Sequence, residues 1–574
     1  MSRPRIGCVT IEYPPFAGGV AKALFGLVQA SQGAVEVLTL DPAHTRWWSA
    51  FRQIWKFGKR FDLVLVSHVL PIGTGAWLAH RFGGAPYAVW ILGTDLRRAR
   101  AIVWKRWVLR KILREAFIVY TNSAFVRDEV RAFDPQVHPI VITPALEPRT
   151  LPSREEARRA LGLSAEDQVI VTVARLVPRK GIDCLIEAFA LMPSATKLVV
   201  IGRGVDEERL KNLVKDQKDR VTFLTSASDQ DRDAWLAASD VFALTGRDEG
   251  DDVEGFGIVY LEAAAAGLPV VAGRSGGVAE AMVDGVTGTL VDPEQPKEIA
   301  QAIAVFLEDP ERSRRFGAAG RARVSQDFRW EDRWAQVEAT LPLVSVIIPV
   351  FNRPAAFRRC LLALAQQSYR SFEVIVVDDG SEEDVASAVK ASSLHDRIQF
   401  HRFASNQGAP KARNTGFDLS QGSLTLFLDA DAMLEPQALE QMVRALRMHP
   451  EAAFAYGDFY LERKRFYGQP FDRAALARAN YIHTTSLLRR EAFPGFDQAL
   501  RRFQDWDLWL TLAERGQQGV WIPEPLFRLS GRGTMSRWLP SFVHRLPWEC
   551  LGWMPEELRR YRAAEKIIRT KHAL

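Results

Sequence analysis

Two glutamates, Glu254 and Glu262, stand eight positions apart in the stretch EGFGIVYLEAAAAGLPVVAGRSGG. The second lies in an alanine-rich run with strong helix propensity. A helix over the whole run would separate their Cα atoms by about 12 Å, near the reach of a nucleotide-diphosphate sugar from hexose ring to ribose. Each carboxylate could then accept charge-assisted hydrogen bonds from the hydroxyls at one end of such a molecule. Gly276 and Gly277 open what reads as another helix, whose free N–H groups can hold phosphate. Upstream, Arg175 and Lys180 follow the apolar run 169–174 and precede a helical stretch. Two fixed cations there can neutralise a diphosphate as it departs.

A second set of residues lies in the C-terminal half. FEVIVVDDGS ends in Asp378 and Asp379, and SLTLFLDADA ends in Asp429 and Asp431. Two carboxylates with one residue between them can aim at one hard cation. All-oxygen ligation suits Mg²⁺ or Mn²⁺ bridging a diphosphate, where the ion orients the donor and stabilises the leaving group.

The elements that would position these residues follow a regular pattern. Apolar runs at 6–11, 63–66, 87–92, 118–121, 169–174 and 197–201 alternate with helix-length segments, which predicts parallel sheets covered by helices. Gly18 and Gly19 follow the first run, at the edge where a doubly wound sheet binds ligands. Near Leu341 the texture resets with LPLVSVIIPVFNRP, so a further domain begins there. At 574 residues the chain is too long for one core. Its net charge of +6 is small, and 47% hydrophobic content is ordinary for a globular protein. Cys8, Cys184, Cys360 and Cys550 lack metal or disulfide spacing, so reduced thiols in the cytoplasm are expected. Neither a signal peptide nor an apolar run long enough for a bilayer span is recognised.

Two stretches mix basic and aromatic residues. RRARAIVWKRWVLRKILR, from Arg97 to Arg114, holds eight basic residues and no acid, with Trp104, Val108 and Ile112 at helical spacing. RWWSAFRQIWKFGKR has the same character, with Trp47, Trp48, Phe51, Ile54 and Trp55 on one face. Such helices either lie in an anionic membrane interface or pack their apolar face on the sheet. The stretch after Arg537, with Trp538, Trp548 and Trp553, is a third candidate contact. No nucleic-acid-binding motif accompanies the charge, so no nucleic acid is expected.

The first half resembles glycosyltransferase family 4, retaining enzymes of GT-B fold. The matching features are Glu254, seven intervening residues, Glu262, then Gly267 to Val270 and Gly276–Gly277. The resemblance implies that Glu254 is catalytic, that Gly18, Gly19, Arg175, Lys180, Glu262, Gly276 and Gly277 bind the donor, and that no metal is needed. One position departs from the pattern. Where the family usually has a histidine before a glycine, this chain has Leu92-Gly93-Thr94-Asp95. Leu92 can neither hydrogen-bond a sugar nor move a proton. The leaving phosphate can take that proton instead, with Asp95 placing the acceptor.

The second half resembles glycosyltransferase family 2, inverting enzymes of GT-A fold. The matching residues are Val344 to Asn352, Asp378-Asp379-Gly380-Ser381, Asn406-Gln407-Gly408, Ala412-Arg413-Asn414-Thr415-Gly416, Asp429-Ala430-Asp431 and Gln504-Asp505-Trp506-Asp507. The resemblance implies that Asp378, Asp379, Arg413 and Asp429 contact the donor, that Asp431 leads metal binding with Asp429, and that Asp505 is the catalytic base. Inversion needs a carboxylate to take the acceptor proton, and Asp507 is the alternative. It also places His483 in the acceptor cleft, where a structural role is the competing expectation.

The expected fold is α/β. Residues 1–150 and 151–340 form two Rossmann-like domains facing a cleft, 342–545 a GT-A domain, and 546–574 a helical tail. The expected function is transfer of sugars from nucleotide-sugar donors to a growing surface or lipid-linked glycan, with one retaining, metal-free site and one inverting site that uses Mg²⁺ or Mn²⁺. In the alternative, only the GT-A module is catalytic and the GT-B module is a binding or membrane-docking scaffold. The expected location is cytoplasmic, peripheral on the inner face of the membrane.

Overall fold

The computed structural model describes residues 4–15, 18–41, 47–92, 96–97, 102–214, 217–530 and 556–574. They divide into two units, Met1–Ala339 and Thr340–Leu574.

The first unit holds two six-stranded sheets whose pairings are all parallel. One comprises β1 (Ile6–Thr10), β2 (Val35–Thr39), β3 (Leu63–Val66), β4 (Tyr87–Ile91), β5 (Ile118–Thr121) and β6 (Ile140–Val141), in the order β2-β1-β3-β4-β5-β6. The other comprises β7 (Gln168–Val173), β8 (Thr196–Ile201), β9 (Val221–Leu224), β10 (Val241–Leu244), β11 (Val270–Gly273) and β12 (Gly288–Val291), in the order β12-β11-β10-β7-β8-β9. Every residue of β1, β3, β4 and β5 is buried, which is why these strands read as continuous apolar runs rather than alternating ones. β2 carries Glu36 on a half-buried edge, so its pattern was not legible. Strand order reverses between β1 and β3 and again between β7 and β10. Such reversals open a crevice at the carboxyl ends of the strands.

Helices that bear on the sites are α1 (Gly19–Ala30), α2 (Trp47–Gly58), α3 (Val103–Glu115), α4 (Ala124–Phe133), α5 (Ile258–Ala265) and α6 (Trp330–Ala339). α5 begins only after Gly257, whose φ of 90° ends the preceding loop. Glu254 therefore lies in a loop and Glu262 on the helix, and the two do not share one helix as expected. α3 buries Leu109, Ile112 and Leu113. Val108 packs against that core, so the expected stripe holds at Val108 and Ile112 but not at Trp104, which with Trp107 is 64% and 59% exposed. α2 packs Ala50 and Ile54 into the core with Phe51 and Trp55 against it, leaving Trp48 exposed. Among the described residues no helix is long and apolar enough to cross a membrane. Cys8, Cys184 and Cys360 are free thiols; Cys550, Asp95, Trp538, Trp548 and Trp553 lie outside the described residues.

The second unit is built on one mixed sheet. Its strands are β13 (Val344–Val350), β14 (Phe372–Asp378), β15 (Ile398–Arg402), β16 (Leu424–Phe427), β17 (Ala432–Leu434), β18 (Ala452–Leu461), β19 (Lys464–Phe466), β20 (Leu487–Arg489) and β21 (Gln518–Leu529). The order is β15-β14-β13-β16-β20-β18-β21-β17, with β19 on β18. β15, β14, β13 and β16 are parallel and β20 runs against β16. α7 (Ala409–Leu419), α8 (Gln504–Glu514) and α9 (Glu556–Lys571) carry or border the residues discussed below.

α6 returns to the first sheet and seats Trp330 on α1. A Cβ at Gly26 would fall 2.1 Å from the Trp330 indole, so only glycine admits that ring. Gly26→Val should destabilise the first unit by about 1–3 kcal/mol through overpacking. Thermal unfolding checks this as a lowered transition for that unit and an unmoved one for the second.

Candidate active sites

In the second sheet of the first unit, the loop after β7 crosses the carboxyl end of β10. Gly181, at φ 63°, makes the crossing possible, because a Cβ there would stand 1.9 Å from Thr245 O. The preceding turn, Pro178–Lys180, delivers two buried cations to Glu254. Arg179 Nη1 lies 2.9 Å from Glu254 Oε2, Lys180 Nζ touches the same oxygen, and Arg179 Nε is 3.0 Å from Asp252 Oδ1. Glu254 is only 15% exposed. Burial pushes its carboxyl up, but Lys180 and Arg179 outweigh that and hold it down at about 2. The same burial lowers the Lys180 ammonium despite Glu254. Arg179 was missed in the sequence, although it adjoins Lys180 in VPRKG.

Arg175 is exposed beside this cluster. Its charge acts on Glu12, whose carboxyl is lowered chiefly by a hydrogen bond with His68 and, more weakly, by Arg175. Glu12 sits by the glycine loop, where a Cβ at Gly18 would be 3.6 Å from Glu12 Oε2. A Cβ at Gly19, the first residue of α1, would be 3.9 Å from Ile258 at the start of α5. Gly255, next to Glu254, packs against Asn122, whose Nδ2 donates to Leu92 O at 2.8 Å. Leu92 thus borders the loop that carries Glu254.

Two expected donor contacts are differently employed. Gly277 N–H donates to Glu254 O at 2.9 Å, and a Cβ at Gly276 would lie 2.1 Å from that same oxygen. The helix after them, Val278–Ala281, is a single turn. The glycine pair therefore clasps the Glu254 loop rather than presenting a row of free amides. Glu262 is 5% exposed and accepts from Lys22 Nζ of α1 at 2.6 Å, with Arg149 Nη2 at 3.6 Å. Its carboxylate is held by protein cations.

In the second unit the aspartates collect at the carboxyl edge of β14 and β16. Asp378 Oδ1 accepts from Ser381 N at 3.0 Å, and Arg402 Nε is 3.4 Å from Oδ2. Asp379 accepts from Gln407 N at 2.7 Å and Gly408 N at 2.9 Å, fixing the Asn406-Gln407-Gly408 loop. Burial and Asp378 nevertheless push the Asp379 carboxyl up. Arg413 of α7 is buried and bridges the site: Nη2 donates to Asp429 Oδ1 and Nη1 to Gln504 Oε1, both at 2.7 Å. It orients these two groups within the site. Gln504, a neutral acceptor where the family often has glutamate, suits this guanidinium.

Asp431 Oδ2 is 2.9 Å from Arg353 Nη1. Burial and the neighbouring Asp429 push the Asp431 carboxyl up. Burial would do the same to Asp429, but Arg413 and His483 bring it down. Two carboxylates straining against each other at a strand end suit a hard divalent cation. Among the described residues no group of three His, Cys, Asp or Glu closes round a metal position. Asp429 and Asp431 would therefore bind a cation only with ligands from elsewhere, and diphosphate oxygens and water are what Mg²⁺ ordinarily takes.

Asp505 is half-buried in the first turn of α8. Its oxygens accept from Asn480 Nδ2 at 2.8 Å and Trp506 N at 2.9 Å. Burial pushes its carboxyl up, partly offset by His483 and Arg413. His483 stands between Phe459 and Phe527, with ring centroids 5.3 and 4.9 Å away. Its Nδ1 accepts from Thr485 N at 3.0 Å, so a neutral ring carries its proton on Nε2, 4.0 Å from Asp429 Oδ2. That tautomer donates toward the aspartates and does not offer Nε2 as a metal ligand. Asp507 faces elsewhere and pairs with Lys571 and His572.

The sequence matches three family models: a glycosyl transferase 4-like domain over residues 14–145, glycosyl transferases group 1 over 153–323, and glycosyl transferase family 2 over 345–504. A GDP-mannose-dependent alpha-(1-6)-phosphatidylinositol monomannoside mannosyltransferase from Mycolicibacterium smegmatis is 32% identical over 377 residues, covering 58% of this chain and 97% of that protein. A GDP-mannose-dependent monoacylated alpha-(1-6)-phosphatidylinositol monomannoside mannosyltransferase from Corynebacterium glutamicum is 42% identical over 190 residues, 32% of this chain and 49% of that protein. Sucrose-phosphate synthase from Thermosynechococcus elongatus superposes with a TM-score of 0.52 at 22% identity, over 59% of this chain and 98% of that one, which speaks to the fold.

The lowered Glu254 carboxyl has a pH signature. Its stabilising pairing is fully present above about 4.5, the ordinary value, and is lost as pH falls toward about 2. Across that window the first unit should lose on the order of 3 kcal/mol from this group. Denaturant unfolding at pH 5 and pH 3 should show a steeper loss in the parent than in Glu254→Gln.

Proposed function

Because the chain belongs to the glycosyltransferases, with a 4-like and a group 1 domain ahead of a family 2 domain, we propose that it carries two transfer sites acting on one growing lipid-linked glycan. Glu254, largely shielded yet ionised beside Lys180 and Arg179, is the observation that carries the reading of the first site. The donor diphosphate lies at the β7/β10 crevice, where Arg175 and Lys180 offset its charge as it leaves. Glu254 accepts hydrogen bonds from the hydroxyls of the transferred sugar. Transfer proceeds with retention and without a metal, and the leaving phosphate takes the acceptor proton in place of a side chain at Leu92. GDP-mannose is the donor favoured for this site, since two similar proteins are named for it.

The second site inverts. Asp505, half-buried and with its carboxyl raised, takes the proton of the attacking acceptor hydroxyl. Asp378 and Asp379 meet the nucleoside, and Asp429 and Asp431 would hold Mg²⁺ or Mn²⁺. The bound ion supplies Lewis-acid stabilisation of the leaving diphosphate. Arg413 and Arg353 hold these two carboxylates in place at the strand end.

Membrane contact is the third part of the reading. Ile102, Val103, Trp104 and Trp107 project from the start of α3 with 42–79% exposure, beside Lys105, Arg106 and Arg110. Exposed aromatic and aliphatic groups ringed by cations suit an anionic lipid interface, where lipid-linked acceptors reside.

The reading of Leu92 favours one alternative, in which the first half is a scaffold and only the second half turns over. Glu254→Gln and Asp505→Asn, assayed separately for sugar transfer, distinguish the two. Each should lower one transfer roughly 10²- to 10⁴-fold and leave the other intact; loss of all transfer in Asp505→Asn, with Glu254→Gln unaffected, would establish the scaffold. Trp104→Ala with Trp107→Ala should lower co-sedimentation with anionic vesicles several-fold at low salt, and an unchanged bound fraction would remove α3 as the contact.

A further inference from the structure

The first turn of α8, which carries Asp505, is fastened from behind by the last turn of α9. Lys571 Nζ lies 2.8 and 3.0 Å from the two oxygens of Asp507 and 2.7 Å from Asp497 Oδ2. His572 Nε2 is 2.9 Å from Asp507 Oδ1, and its Nδ1 is 2.8 Å from Glu514 Oε1. With a carboxylate at each ring nitrogen, His572 makes both bonds only when both nitrogens carry a proton. The pairing is shielded, with the His572 and Asp507 side chains 2% and 5% exposed.

A second contact lies one residue ahead of the Gln504–Asp505 pair. Phe503 caps α8 with φ 60° and ψ 28°, a left-handed conformation that a bulky side chain holds only under constraint. Tyr561 of α9 meets the Phe503 ring edge-on at 5.0 Å, and Trp506 meets it at 5.7 Å. Between the two anchors Ile568 is fully buried in the cluster that includes Trp506, Leu508 and Trp509. Residues two apart on a helix point about 200° from each other. Asp505 can therefore face the site while Asp507 faces α9.

We propose that α9 is a strap that positions the second active site: Tyr561, Lys571 and His572 hold the first turn of α8, and so set the orientation of Asp505. Asp507 is the anchor for this strap, not a second base. The inference rests on the reading of Asp505 as the group that takes the acceptor proton.

The test uses the full chain bearing Lys571→Met with His572→Gln, Tyr561→Leu alone, and Lys571→Arg as the conservative control. Hydrogen exchange of the 504–509 amides and steady-state kinetics of the Asp505-dependent transfer are read together. The strap predicts exchange in that turn faster by about tenfold or more, with β13–β16 unchanged. It also predicts kcat lowered roughly 10- to 100-fold, donor KM within about twofold of the parent, and Lys571→Arg near parental. Unaltered exchange in the turn, an unaltered kcat, or equal loss of protection across β13–β16 overturns the proposal. If Asp505→Asn itself leaves transfer unchanged, the base assignment fails, and exchange at 504–509 still decides whether α9 holds the turn.

Discussion

A carboxylate drawn largely out of water must be matched by a cation, and both candidate sites are organised by that constraint. Glu254 is taken out of water at the edge of a parallel sheet, which by itself would neutralise it. Lys180 and Arg179 reverse the outcome, and they can do so only because the chain turns sharply at Gly181 over the end of β10. The same necessity recurs at Asp429 with Arg413 and at Asp431 with Arg353. Removing one partner from such a pair leaves a stranded charge, a costlier state than removing both. The glycines, short turns and helix starts around these sites are the geometry that lets opposite charges meet under burial.

Parallel sheets explain why charge collects where it does. Strands buried on both faces admit few polar residues along their length, so chemistry is displaced to the residues just beyond the carboxyl ends. Arg175, Glu254 and Gly18–Gly19 occupy such positions in the first unit, and Asp378, Asp379, Asp429 and Asp431 do so in the second. The two units apply one rule to different partners: guanidinium and ammonium groups in the first, clustered aspartates in the second.

Much of this was legible from the residues. Buried parallel strands announced themselves as unbroken apolar runs, and the residues at their ends followed. What was not legible depends on long-range contact. β2 is an amphipathic edge with a weak pattern. Glu254 looked helical because its neighbours Val259–Ala266 favour helix, yet Gly257 at positive φ delays the start. Glu262 and Arg413 have the right types for ligand contact, but their partners, Lys22 at a separation of 240 residues and Gln504 at 91, lie far off in sequence. Arg179 carried no periodic signal at all, since its role arises from burial that only the fold creates. Trp104 fits a helical stripe by spacing, but at the start of α3 it is exposed, while Val108 and Ile112 of that stripe reach the core with Leu109 and Leu113.

The Lys22–Glu262 contact has an effect on selectivity. It joins the first helix of one sheet to a helix of the other through an ammonium that is already a strong partner for the carboxylate. A newcomer that reaches Glu262 must displace a charged neighbour with neutral hydroxyls, which bind a carboxylate less strongly. The pairing therefore disfavours a neutral ligand at that carboxylate.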